Sequence, residues 1–180
     1  MGGAEKAFLD LGGRPLIQHI IECLRPQTGA IIISANGDTV RFDKFGCEIV
    51  PDGLGAGETP LAGLAAVLAH AEINGFDAVV SVPSDTPFLP EDLVARLSGV
   101  GAAIASSKSQ DHYLTGLWPV SLAGVLMTAL VSRDLVRMQH WVALSNARRV
   151  EWSVSGIDPF FNINTLEDLE HARSWLKPKG

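Results

Sequence analysis

Cysteine is nearly absent from this chain: only Cys23 and Cys47 occur among 180 residues. Neither shows metal-site spacing or belongs to a disulfide framework, so a reducing compartment fits best. Long apolar runs are missing as well. No stretch approaches the roughly 18 residues of a membrane span. The opening MGGAEKAF lacks the basic-then-apolar layout of a secretion signal. The sequence therefore predicts a cytoplasmic protein with no membrane partner. A basic excess is also lacking, the formal net charge being −6. That argues against duplex nucleic acid, which needs a basic stripe to displace counterions. A small anionic ligand stays open, because a few cations in a cleft outweigh net charge locally. Internal repeats and low-complexity segments do not occur.

What is present is the composition of an ordinary globular protein, 47% apolar and 19% charged. The length suits one domain over residues 1–180, enough to bury a core between a sheet and helices on both faces. Pro15 to Leu24 reads as a helix with Leu16, Ile17, Ile20, Ile21 and Leu24 on one face. Ala30 to Ser34 is a β-branched run without alternation, the pattern of a strand buried on both faces. A short helix (Thr39 to Phe45), a strand (Cys47 to Val50), an Ala/Leu helix (Leu61 to Glu72) and a third buried strand (Asp77 to Val82) follow. A helix from Glu91 to Leu97 precedes strands at Ala102 to Ser106 and Leu114 to Trp118, joined by the polar loop SKSQDHY. Helices near Leu122 to Val131 and Leu135 to Leu144 come next. A half-buried edge strand then carries Val150, Trp152 and Val154 inward. The last helix, capped by Thr165, directs Leu166, Leu169 and Trp175 to the core. Repeated β-α units predict an α/β fold with a mostly parallel, doubly wound sheet, which binds ligands beyond the carboxyl ends of its strands.

Polar residues stand where buried strands end: Asn36, Asp52 and Asp85. Parallel strands end on a common side, so the three are expected on one rim. Asp85 lies in VPSDTPFLP, bracketed by Pro83 and Pro87, which stiffen the loop. A fixed carboxylate on an open rim suits a Mg²⁺ held mainly by phosphates; a turn-forming Asp explains the pattern equally well. Asp52 and Asn36 each precede a glycine and also read as turn residues. The glycine-rich loop Gly53-Leu54-Gly55-Ala56-Gly57 does not match a phosphate-binding motif. Lys6, beside flexible backbone, can neutralise a phosphate, although a solvated terminal lysine is the commoner case. His112 is undecided between a surface loop and a ligand contact, and Arg133 and Arg137, near His140 and Trp141, between a solvated face and a phosphate contact. No nucleophilic triad, zinc set or paired glycosidase-type carboxylates stand out.

Taken together, MGGAEKAFLDLGGRPLIQHI, ISANGD, IVPD, TPLAGLAAVL, VPSDTPFLPEDLVARL, GLWPV and FFNINTLEDLEHAR resemble the molybdenum cofactor guanylyltransferases of bacteria over nearly the whole chain. The opening block and the final NxNTxEDL segment carry most of that resemblance. It implies transfer of GMP from Mg·GTP to the terminal phosphate of molybdopterin, with pyrophosphate released. The implied partners are GTP, molybdopterin and the molybdoenzymes that receive the cofactor, and the implied metal is Mg²⁺. It also implies a Rossmann-like, nucleotide-diphospho-sugar transferase-like fold. By the same resemblance Lys6 contacts GTP phosphates, Asp85 binds the metal, and both serve the transfer itself. Asp52 and Asn36 fall on the nucleotide side, and Asn162 and Asn164 on the pterin side. Ser34 stands where many relatives carry a nucleotide-contacting asparagine.

In the family a strand and a loop resembling LAGGxSxRMG precede the residues with which this sequence opens, and that strand is central in the sheet. Its absence is expected to separate its neighbouring strands by about 10 Å, twice the interstrand spacing. It should also weaken folding or GTP binding, since orphaned backbone groups cost about 1–3 kcal/mol each. A cytidylyltransferase acting on molybdopterin, or another nucleotidyltransferase, would share Lys6 and Asp85. A non-catalytic homologue that binds cofactor or nucleotide is a further class. A receiver domain fits poorly, because no acidic pair follows the first strand.

Overall fold

The computed structural model describes residues 6–52, 59–132 and 137–176. The glycine-rich loop at 53–57, Arg133 and Leu135 lie outside them. Strands β1 (Asp10–Leu11) and β2 (Arg14–Pro15) form a hairpin. Gly12 and Gly13 make its two-residue turn with φ of 64° and 85°, the left-handed backbone such turns require. The sequence reading did not anticipate this hairpin. Helix α1 (Leu16–Leu24) follows and buries Leu16, Ile17, Ile20, Ile21 and Leu24, the face that its periodicity predicts.

Strand β3 (Ile32–Ser34) pairs in parallel with β4 (Glu48–Val50). Between them Val40–Phe45 is a 3-10 helix that buries Phe42 and Phe45. Helix α2 (Pro60–Ile73) starts where the sequence allows, with Pro60 in its first turn and the Thr59 hydroxyl accepting the Ala62 N–H. Its 14 residues span about 20 Å at 1.5 Å each. The helix contacts β3 and β4 and leads into β5 (Ala78–Ser81), which it also contacts. Helix α3 (Leu93–Leu97), strands β6 (Ala103–Ser107) and β7 (Gln110–Pro119), helices α4 (Ala123–Val131) and α5 (Met138–Leu144), strand β8 (Arg148–Trp152) and helix α6 (Leu166–Leu176) complete the order.

The larger sheet runs β5-β7-β6-β8. β7 is antiparallel to both its neighbours and β8 is parallel to β6, so β5, β6 and β8 all run one way. Strand alternation sorts the core by face. Ile104 and Trp118 point toward α2, α4 and α5, packing with Leu64, Leu68, Leu126 and Trp141. Ala103, Ala105 and Leu117 point the other way, toward Ile20 and Leu24 of α1 and Leu93 and Leu97 of α3. Helices thus cover both faces, as the β-α alternation predicts.

Four expectations need correction. β3 and β5 are not buried on both faces: only Ile33 is buried in β3, and β5 is half-buried throughout. Among the described residues β3 pairs only with β4 and β5 only with β7, so each keeps an open edge and the two sheets share no hydrogen bonds. The polar segment SKSQDHY is not a loop. Only Lys108 and Ser109, with φ of 47° and 64°, make the turn, and Gln110 onward already belongs to β7. The helix expected from Glu91 begins at Leu93. Leu166, expected to point to the core, is 62% exposed in the first turn of α6, where only Leu169 and Ala172 of the helix are buried.

Candidate functional site

The polar residues at the strand ends fall into two groups. The first grows out of the parallel pair β3–β4. Ser34, the last residue of β3, donates its hydroxyl to Asp52 Oδ1 at 2.9 Å, and Asn36 Oδ1 accepts the Asp52 backbone N–H at 2.9 Å. Asn36 is therefore more than a turn residue: it ties the two strand ends together, while Gly37 (φ 75°) turns the chain. The α2 residue Gly63 presses against this group. A Cβ there would sit 2.6 Å from Ser34 Oγ and 3.4 Å from Asp52 Oδ1. The glycine of TPLAG is thus a close-approach position, which lets the helix start abut the strand ends.

The second group forms beyond β5. Pro83 has no N–H to continue the ladder, and the buried Thr86 hydroxyl closes the turn onto the Pro83 carbonyl at 2.9 Å. Asp85 is thereby held at the turn, and its own carbonyl accepts the Ile163 N–H at 2.9 Å. Lys6 Nζ lies 4.0 Å from Asp85 Oδ2, with both side chains 18% exposed, and donates to Asn164 Oδ1 at 2.7 Å. Residues from the two ends of the chain and from its middle therefore meet at one point. Asn164 is presented by the start of α6, whose cap is reciprocal. The Thr165 hydroxyl accepts the Asp168 N–H, and Asp168 Oδ2 accepts the N–H groups of Asn164 and Thr165. The Thr165 hydroxyl foremost, then the Thr165 and Asn164 N–H groups, hold the Asp168 carboxyl below its usual range. Asn162 is exposed two residues earlier.

Asp85 is the electrostatically unusual member. Burial pushes its carboxyl above the ordinary aspartate range, while the Lys6 ammonium and its own backbone N–H pull the other way. Its Oδ1 is buried and has no hydrogen-bond partner among the described residues. An oxygen that is desolvated, unbonded and beside an ammonium fits a cation or a cation-bound anion better than it fits a turn. No cluster of three or more metal-ligating side chains exists among the described residues. A cation at Asp85 would therefore draw most of its ligands from elsewhere, as Mg²⁺ bound through phosphates does.

Not every expected residue joins these groups. Among the described residues no hydrogen bond or ion pair links the Ser34–Asn36–Asp52 group to the Lys6–Asp85–Asn164 group. They are two separate groups, not one cluster. Arg137 and His140 are exposed at the start of α5, and Trp141 is fully buried. An open depression of about 700 Å³ between α4 and α5, lined by Gly124, Val125, Thr128 and Leu144 among others, shares no residue with either group. His112 is neither a loop residue nor free. It lies in β7, and its Nε2 is 2.7 Å from Ser107 Oγ. Burial lowers its pKa against the opposing pull of Asp158, Asp111 and Glu151. Sequence reasoning missed Ser107 and Asp158 altogether, since Asp158 between Gly156 and Pro159 reads as a turn residue.

No helix among the described residues is long and apolar enough to cross a membrane. Comparison with known proteins agrees with this architecture. The family model described as "MobA-like NTP transferase domain" matches residues 1–150. Molybdenum cofactor guanylyltransferase of Nitrobacter hamburgensis is 40% identical over 180 residues, covering 96% of this chain and 86% of that protein. The protein of the same name from Cereibacter sphaeroides is 41% identical, covering 98% and 91%. Among solved structures, molybdopterin-guanine dinucleotide biosynthesis protein A from Archaeoglobus fulgidus superposes with a TM-score of 0.68 at 25% identity, covering 95% of this chain and 90% of its own. A 4-diphosphocytidyl-2C-methyl-D-erythritol synthase from Anaerococcus prevotii, at 16% identity, shares the fold with a TM-score of 0.70 over 94% of this chain and 92% of its own. By family model and by near full-length similarity, the chain belongs to the molybdenum cofactor guanylyltransferases, enzymes of the nucleotidyltransferase class.

Proposed function

We propose that this protein transfers GMP from Mg·GTP to the terminal phosphate of molybdopterin in the cytoplasm, giving the guanine dinucleotide cofactor and pyrophosphate, and passes its product to molybdoenzymes. The observation that carries this reading is the pairing of Lys6 with the half-buried Asp85, whose buried Oδ1 has no hydrogen-bond partner among the described residues. An oxygen of the acceptor phosphate attacks the α-phosphorus in line, and the α–β bridging bond breaks to release pyrophosphate. The nucleophile belongs to the substrate, which agrees with the absence of any activated side-chain nucleophile in the two groups. Mg²⁺ held by Asp85, when bound, supplies charge neutralisation on the phosphate oxygens. The side chains mainly position: Lys6 is a point charge for phosphate oxygens, and Asn164 fixes where that charge sits.

In the other group, Asp52 has Oδ1 occupied by Ser34 and its N–H by Asn36. Its second carboxylate oxygen is then oriented to accept a hydrogen bond from the nucleoside. Asn162 and Asn164 serve the acceptor side. Base choice is tested by pyrophosphate release with molybdopterin as acceptor, comparing Mg·GTP with Mg·CTP. Release with GTP alone is expected, and release only with CTP would overturn the guanylyl assignment.

Gly63→Ala probes the nucleotide side separately. The new methyl forces the Ser34 hydroxyl away from Asp52 and breaks a bond worth about 1 kcal/mol. Alanine gains a similar 0.8–1 kcal/mol or so in helix propensity, so net stability should barely move. Calorimetry with Mg·GTP is expected to show roughly tenfold weaker binding with an unchanged melting temperature, the 1.4 kcal/mol scale of one lost positioning contact. Equal affinity in both proteins would remove Asp52 from the nucleotide site.

A further inference from the structure

The segment between β8 and α6 carries Asn162 and Asn164, and something must hold it at the correct height over the site. Phe160 and Ile163 supply the apolar anchors. Phe160 is buried against Trp152, with ring centroids 5.2 Å apart, and against the His112 ring at 4.7 Å. Ile163 is fully buried beside Leu11, Leu16 and Leu169. The polar anchor is a relay that starts in the β6–β7 hairpin. Ser107, 1% exposed, places Oγ 2.7 Å from His112 Nε2 and 2.9 and 3.0 Å from the two oxygens of Asp158.

A hydroxyl has one proton and a carboxylate only accepts, so Ser107 donates to Asp158 and accepts from the His112 Nε2–H. This order fixes the His112 tautomer. Asp158 Oδ1 also accepts the Phe160 N–H at 3.0 Å, its Oδ2 lies 3.5 Å from Lys108 Nζ, and its carbonyl accepts the Phe161 N–H at 3.1 Å. Five residues further on, the Ile163 N–H meets the Asp85 carbonyl, and the next residue, Asn164, meets Lys6. β6 runs in the same direction as β5, so Ser107 and Asp85 lie off the same end of the sheet.

We infer that Asp158, set by Ser107 and His112, is a positioning residue for the acceptor side of the site: it fixes the Phe160–Asn164 turn and with it the Asn162 and Asn164 side chains that serve the acceptor. The inference rests on the functional reading above, in which that turn serves the phosphate-bearing acceptor. Apolar burial alone fixes depth but not rotation about the chain, and the relay supplies the rotation. Nothing in it touches the Ser34–Asn36–Asp52 group, and Lys6 keeps its pairing with Asp85 when Asn164 shifts, so the two substrates should respond differently to its loss.

The test is steady-state GMP transfer with molybdopterin varied, alongside calorimetry with Mg·GTP, on wild type, Asp158→Ala and Asp158→Asn. Asp158→Ala is expected to raise the acceptor KM about tenfold while the Mg·GTP Kd stays within about twofold. Asp158→Asn keeps an oxygen for Ser107 and Phe160 and should recover most of the loss. An unchanged acceptor KM, an equal loss of Mg·GTP binding, or an Asn variant as impaired as Ala would overturn the inference. Hydrogen exchange at the Ile163 amide gives a readout that needs no activity. Exchange is expected to be at least about tenfold faster in Asp158→Ala and near wild type in Asp158→Asn, and unchanged exchange in the Ala variant would overturn the positioning role. Should wild type transfer no GMP to molybdopterin, the functional reading fails, while the exchange result still decides the relay.

Discussion

Asp85→Ala is expected to lower GMP transfer by at least about 10³-fold, the loss typical when a group organising charge in the transition state is removed. The argument is one of environment. The carboxylate is desolvated, one oxygen has no partner among the described residues, and the nearest cation stands 4.0 Å away. A group so placed is destabilising in the empty protein. Its pKa is raised in the folded state, so its contribution to stability is favourable below the ordinary aspartate value and is lost as pH rises through the raised value. At neutral pH the ionised form therefore strains the fold. Asp85→Asn, which removes the charge at constant volume, should leave the protein as stable or about 1 kcal/mol more stable, a rise of about 2–4 °C in melting temperature. Loss of transfer with gain of stability is the signature of a ligand-binding carboxylate. A turn-forming aspartate would show the reverse, with stability lost and activity partly kept. Calorimetric melting and an initial-rate assay on the same preparations separate the two. The raised pKa also moves the acid limb of Mg·GTP binding upward relative to an ordinary aspartate, because the metal competes with the proton for the same oxygens.

Lys6→Ala is expected to reduce kcat/KM for GTP by about 10²–10³-fold, or about 2.7–4 kcal/mol of transition-state stabilisation. Its ammonium sits between Asp85 and Asn164, so removal would withdraw the proposed phosphate contact and leave two polar groups facing each other. Lys6→Arg should not restore activity. A planar guanidinium cannot occupy the compact position that a single Nζ takes 2.7 Å from Asn164 Oδ1. Measuring GTP turnover in both variants decides the matter: an Ala variant within about tenfold of wild type would make Lys6 a solvated lysine after all.

How far the sequence revealed this arrangement depended on where each signal lay. Asp85 was legible because a β-branched strand ends in a proline-bracketed turn, and both features are local. The α1 face and the Thr165 cap were legible for the same reason. Lys6 was not legible from its surroundings, since its partner Asn164 lies 158 residues away and no local pattern announces such a contact. Resemblance to a family was needed to single it out. Asn36 and Asp52 looked like turn residues because each precedes a glycine; their mutual bond comes from the parallel register of β3 and β4. Ser107 and Asp158 escaped notice since a buried serine in a strand has no pattern of its own. The strands β3 and β5 were expected to be buried from their apolar content alone, and periodicity says nothing about whether a neighbour completes the edge.

The most direct test of the central claim is a crystal structure with Mn²⁺ in place of Mg²⁺ and a non-hydrolysable GTP analogue, read by anomalous scattering. The expected result is a manganese peak about 2 Å from an Asp85 carboxylate oxygen, with the analogue's phosphates against Lys6 and its nucleoside against Asp52. A metal and triphosphate bound away from Asp85 and Lys6 would contradict it.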